Sequence, residues 1–216
     1  MNTATEDPNP EELCPLWSYI TWKSLSHCLS KLSKMTGSPW LIEAGDMKWL
    51  PMPLLVREYS SDEQTGAAVY FDVAGDMPMS LMIVFHPRDT GIIARCFLGH
   101  SYPFLSHLNH LEELVLSELG NIVVNAFVGA LANEMDSIML PSVPRCVQGS
   151  RFALVEALQS TVKEPGRYSA CKMPLRMESA GGSASSELLA LFPASSLEKL
   201  EKIRPPDSLP ADDRPA

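Results

Sequence analysis

The sequence predicts an α+β fold. It reads as a pseudo-two-fold repeat of two α-β units, with a central antiparallel sheet, two long helices on one side and shorter helices outside. Three observations point there. Two long segments, about 17–35 and 111–135, read as helices, the second with apolar residues at clear helical spacing. Each is followed by the same order of elements: short strand, short segment, hairpin, helix. The halves also match in residues. SLMIVFHP (80–87) aligns with ELLALFP (187–193), placing Phe85 over Phe192 at an offset of 107. CLSKL (28–32) aligns with ALANE (130–134), placing Leu29 over Leu131 at an offset of 102. A loop insertion would absorb the difference of five. A repeat of about 100 residues implies two copies of one unit packed into a single domain. The competing reading is chance similarity of two amphipathic hairpins.

In chain order, the first helix ends before Gly37 and Pro39, residues that stop helices. A short strand follows near 39–44. Residues 47–56 contain two Pro and read as irregular or a brief helix. Ala67–Val73 and Met79–Phe85 form a hairpin around the turn residues AGDMP. Pro87 opens a helix that ends at Gly99. After the second long helix come a strand near 137–140, the loop PSVPRC, and a helix over 151–162. Residues 168–178 and 187–192 suit a second hairpin, with SAGGSAS (179–185) as its loop. A terminal helix spans 194–203, capped by Ser195 and Ser196. Residues 1–13 are polar and acidic, and 204–216 (RPPDSLPADDRPA) is rich in Pro and Asp; both read as disordered flanks of one domain over 14–203, whose repeat units are about 14–100 and 101–203.

Composition narrows the function. The 216 residues include 17 Lys and Arg against 26 Asp and Glu, a formal charge of −9. That balance argues against a nucleic-acid binder, which needs a basic face, and against docking on an anionic membrane. A hydrophobic share of 45% is ample for a packed core. No apolar run approaches the ~20 residues of a membrane span. The start, MNTATEDPNPEEL, lacks the apolar core of a signal peptide, so the expected location is cytoplasmic. The five Cys (14, 28, 96, 146, 171) form no CxxC or zinc spacing and read as small buried hydrophobes. The Met cluster 47, 52, 77, 79, 82 reads as core filler.

The informative segment is 112–135, EELVLSELGNIVVNAFVGALANEM. Glu118, Asn121 and Asn125 recur at i, i+3 and i+7, a narrow polar stripe on a greasy helix. A solvated face would explain the stripe simply. Two details count against that. The stripe holds a carboxylate and two amides with no Lys or Arg, and Asn is a poor helix former. Gly120 and Gly129 also cost helix propensity and imply close approach of another backbone. A carboxamide donates and accepts hydrogen bonds, so it can hold and aim a water molecule. A Glu one turn away can pair with a partner's Lys. Glu and Asn alone make no metal site and no nucleophile–base pair. Such a stripe suits hydrolysis in which another protein supplies most of the site.

These residues resemble the CheC/FliY/CheX family of chemotaxis phosphatases, whose pattern is [D/S]-x3-E-x2-N-x22-P. Glu118, Asn121 and Pro144 match it in spacing; the leading position falls on Leu114. The two-unit repeat is also the family's architecture, and the resemblance spans about 14–203. It implies a phosphatase acting on a phosphorylated CheY-like response regulator. Asn121 would orient the attacking water and Glu118 would pair with the regulator's Lys. The chain would need no cofactor of its own, since Mg2+ belongs to the regulator. In the first unit the matching positions are Leu16 and Tyr19, so that unit should carry no site. A second reading is an adaptor of the same fold, binding a receiver domain or a CheD-type deamidase without hydrolysis. A third is a flagellar-switch-like structural role. His100, His107 and His110, near Glu112 and Glu113, read as loop or helix-start histidines rather than metal ligands.

Overall fold

The computed structural model describes residues 10–99, 101–102, 108–161 and 168–200. The first half runs α1 (Pro10–Thr36), β1 (Leu41–Ala44), β2 (Lys48–Pro51), α2 (Met52–Glu58), β3 (Thr65–Gly75), β4 (Met79–Phe85) and α3 (Pro87–Leu98). The second half repeats that order: α4 (His110–Glu134), β5 (Met139–Pro141), β6 (Arg145–Ser150), α5 (Arg151–Ser160), β7 (Tyr168–Ser179), β8 (Gly182–Pro193) and α6 (Ala194–Leu200).

One antiparallel sheet joins the halves in the order β1-β7-β8-β4-β3-β5, with β2 also on β7 and β6 also on β3. The halves interlock. Each contributes its two short strands to the other's hairpin. β4 and β8 meet at the centre, where Met82 lies opposite Leu189, its equivalent at the 107 offset. The pseudo-two-fold axis passes between them. Phe85 pairs with Ala67 and Phe192 pairs with Ser169, so the outer strands β3 and β7 match at 102, the offset of the helices. The equivalent pairs Val73–Met79 and Leu175–Ser186 enclose residues 74–78 in one hairpin and 176–185 in the other. The longer second hairpin is therefore the expected insertion.

Both faces of the sheet are covered. Val69 and Phe71 of β3 pack with α1, α3 and α4, whereas Ala68 and Tyr70 pack with α2 and α5. α1 and α4 pack together, with Ile20, Leu25 and Cys28 buried at the same places as Ile122, Phe127 and Ala130. The Cys28 thiol donates to the Ile122 carbonyl at 3.7 Å. Burial pushes that thiol up to about 12, so it stays protonated and apolar in character. Met52, Met77, Met79 and Met82 are buried core residues, as their clustering suggested.

Several expectations need correction. α1 begins at Pro10, not near residue 17, so 10–13 is helical. Pro is accepted in the first turn of a helix. The 47–56 segment splits into β2 and α2. The PSVPRC loop runs straight into β6, a strand too polar to announce itself. The SAGGSAS segment is mostly strand rather than loop, because its small residues serve packing. A Cβ on Gly181 would stand 2.6 Å from Cys96 Sγ, so the hairpin tip lies directly on α3. Ser196 does not cap α6; its hydroxyl donates to the Pro78 carbonyl at 2.8 Å. The expected flanks 1–9 and 204–216, and the last residues of the terminal helix, lie outside the described residues.

Candidate functional site

α4 is anchored at its start. The Asn109 side chain accepts hydrogen bonds from the backbone N–H of Leu111 at 2.8 Å and of Glu112 at 3.0 Å. The Glu112 carboxylate accepts from the Asn109 N–H at 3.1 Å, completing a capping box. Glu112 is thus a buried cap. His110 is exposed beside Glu113, while His100 and His107 lie outside the described residues. No three His, Cys, Asp or Glu converge among the described residues.

The helix has the length and mean hydropathy, 1.7 over 18 residues, of a membrane span, but 61% of that window is buried in the protein. It is a core helix. Gly120 lets it lie on the sheet, since a Cβ there would stand 3.0 Å from Val69 Cγ1 and 3.4 Å from the Phe71 ring. Gly129 differs: no atom approaches its Cβ position, so no close backbone explains it.

The outer face of α4 carries Leu111, Leu114, Glu118, Asn121 and Asn125 in one line. Glu118 and Asn121 are half-buried, and Asn125 is exposed. Among the described residues Glu118 has no hydrogen bond or ion pair. Asn125 Nδ2 donates to the Asn121 backbone carbonyl at 2.7 Å and to Asn121 Oδ1 at 2.6 Å. That pair of bonds fixes the Asn121 carboxamide and leaves its own NH2 group without a partner among the described residues. Asn125, seen in the sequence only as part of a stripe, is a positioning residue for Asn121.

Pro144 is half-buried in the connection between β5 and β6, two strands that pack on α4. Their placement beside the stripe follows from Cys146. It pairs with Val69, the residue beneath Gly120, and its thiol meets Ser117. Burial pushes the Cys146 thiol up to about 11, helped by the nearby Glu113 charge and opposed by Ser117. It is a weak nucleophile.

The matching face of α1 is different. Tyr19 is half-buried, and Lys23 lies over its ring at 5.4 Å and bonds Glu134 of α4 at 2.5 Å. A groove of about 280 Å³ lined by Asp72, Ser80, Thr161 and Tyr168 opens on the α5 side of the sheet, away from the stripe. The stripe itself is an open helix surface. Such a surface can enter a cleft on another protein.

No family model and no curated protein matches the chain. Solved structures do. FliY of Thermotoga maritima superposes with a TM-score of 0.71 at 15% identity, covering 89% of this chain and 94% of that one. The FliM middle domain of H. pylori gives 0.64 at 12% identity, covering 89% and 98%. A chain of the FliG–FliM complex from H. pylori gives 0.62 at 13%, covering 89% and 98%. The chain therefore has the fold of FliY, one that the FliM middle domain shares.

Proposed function

From that shared fold, we propose that the chain is a phosphatase for a phospho-aspartyl receiver domain of the CheY type, working in two-component or chemotaxis signalling. The observation that carries the reading is the Glu118–Asn121 pair on the outer face of α4. It is accessible, it is one turn in length, and Asn125 holds the carboxamide.

An acyl phosphate is already activated, so rate is gained by placing one water in line with the phosphorus. The Asn121 carboxamide would hold that water. The water oxygen would bond to phosphorus as the bond from phosphorus to the Asp oxygen breaks. The Asp carboxylate and inorganic phosphate leave, and the water's protons pass to phosphate and solvent. Glu118 would pair with a Lys of the receiver and fix the docking register. Mg2+ in this reading is the receiver's own and neutralises the phosphoryl charge. Asn121 is not a base, so the reaction needs no titrating group on this chain.

The test is the lifetime of the phosphoryl group on a receiver domain from the same organism, with wild type and with Asn121→Ala. Shortening by wild type and not by the variant is the expected result. No shortening by wild type would remove the reading. A second reading, an adaptor without hydrolysis, is favoured by Leu114 standing where the family pattern has Asp or Ser, and by the structural likeness to FliM. Retained binding without turnover would select it.

A further inference from the structure

Leu111 and Leu114 are 53% and 52% exposed, in line with Glu118 and Asn121. Packing among the described residues does not account for a Leu pair so exposed. The repeat does not carry it either: at the 102 offset the sequence has Asn9 and Glu12. Nor is this a frayed end. The capping box holds the first turn, and Asn109 also donates to the Tyr102 hydroxyl at 2.6 Å. Two leucines are thus presented in a fixed place, at low entropic cost to a partner. Charge adds a second constraint. α4 has no Lys or Arg, and Glu118 has no cation beside it among the described residues.

We propose that Leu111 and Leu114 are the apolar anchor by which α4 docks on its phosphorylated receiver domain. The matching surface of the receiver is a small apolar patch next to a basic side chain that meets Glu118. Seven residues of helix separate Leu114 from Asn121, so the patch lies ~10 Å from the phosphoryl group. This inference rests on the phosphatase reading for the identity of the occupant. It adds a division of labour: leucines for affinity, Glu118 for register, Asn121 for chemistry.

The experiment uses the full chain and two forms of the receiver: beryllofluoride-loaded for Kd and acetyl-phosphate-charged for turnover. Burying two half-exposed leucines predicts that L111S/L114S raises Kd and KM about tenfold or more. kcat at saturation should fall less than twofold. The shift should be nearly the same at low and high salt, because apolar contact is not screened. Glu118→Gln should instead give a salt-dependent shift. Both leucines face solvent, so the thermal midpoint should not move; the single Leu114→Ser variant serves if the double one misfolds. Unchanged Kd and KM in the leucine variants, with wild type active, would overturn the inference and leave the phosphatase reading standing. Binding by wild type without turnover would remove the phosphatase reading, while the Kd ratio still decides the anchor. No binding of the receiver by wild type would overturn both.

Discussion

α1 and α4 occupy equivalent places about the pseudo-two-fold axis and bury equivalent residues. Their residues at the positions of the stripe diverge. α4 presents Leu111, Leu114, Glu118, Asn121 and Asn125; the matching sequence positions of the first unit are Asn9, Glu12, Leu16, Tyr19 and Lys23. What the two share is dictated by packing, and what they do not share is free for function. Cys28 and Ala130 can exchange roles because the core asks only for a small apolar residue. No packing demand placed two carboxamides on the stripe of α4. The internal control is thus built into the chain: one half shows what the fold needs, and the excess in the other half is the candidate site.

The largest effect expected along this contrast is at Asn121. Asn121→Ala should lower the rate of receiver dephosphorylation about 100-fold or more, since a misplaced water forfeits the positioning gain. Its thermal stability should match wild type. Mutating Tyr19 to Ala should leave turnover within twofold by the same assay. A large rate loss at Tyr19 would break the assignment of the site to one half.

The next contrast lies in the hairpins. Glu187 of β8 is equivalent to Ser80 of β4, and only Glu187 is charged. It accepts from the Tyr59 hydroxyl at 2.6 Å and pairs with Lys172 at 3.2 Å and with Arg151; Arg151 also pairs with Asp62 at 2.7 Å. The network joins residues of both halves. Removing one member of a buried pair leaves an uncompensated charge, so Arg151→Met should cost about 3 kcal/mol in urea unfolding. Ser80→Ala should cost under about 1 kcal/mol. Burial alone would raise the Glu187 carboxyl, but Tyr59, Lys172 and Arg151 outweigh it and hold the group below its usual range. Its contribution is therefore complete above the unfolded carboxylate range of about 4.3 and is lost as pH falls through the lower folded value. Glu187→Gln should flatten the acid limb of a stability-against-pH curve.

Smaller effects refine the helix contrast. Gly120 faces Val69 and Phe71, whereas α1 has Ser18 at the matching place. Gly120→Val should force α4 off the sheet and lower stability by about 2 kcal/mol, read as a drop in Tm. Gly129→Ala, at an open position, should be neutral or slightly stabilising through helix propensity. Asn125→Ala removes the bonds that orient Asn121. kcat should fall about fivefold, the worth of one such hydrogen bond, with KM and Tm unchanged. An unchanged kcat would show that Asn121 orients itself.

Much of this was legible in the residues. The two long helices follow from composition and spacing, and both hairpins from apolar runs between turn residues. The repeat follows from two short matches whose offsets, 102 and 107, reappear in the strand register. Glu118 and Asn121 were legible because polar residues on a greasy helix lack a local cause. Other features were hidden. β6 pairs with β3 across the halves, and its residues Arg145, Gln148 and Gly149 carry no strand signal of their own. SAGGSAS read as a loop because Gly signals turns locally, while here it permits contact with α3. The fixing of Asn121 by Asn125 depends on rotamers, and i, i+4 spacing allows that bond without requiring it.

The sequence by itself determined the two long helices, the two hairpins and the pseudo-symmetric pairing of halves, and it singled out α4 as the helix that carries the candidate site. These depend on periodicity and on short-range chemistry, which a chain displays in one dimension. Tertiary structure alone decided that each half completes its sheet with strands of the other, that Leu114 and Leu111 face solvent beside Glu118, and that Glu187 rather than its counterpart carries a buried charge network. Those outcomes depend on which residues far apart in the chain meet across the sheet, and on which face of a helix the packing leaves uncovered.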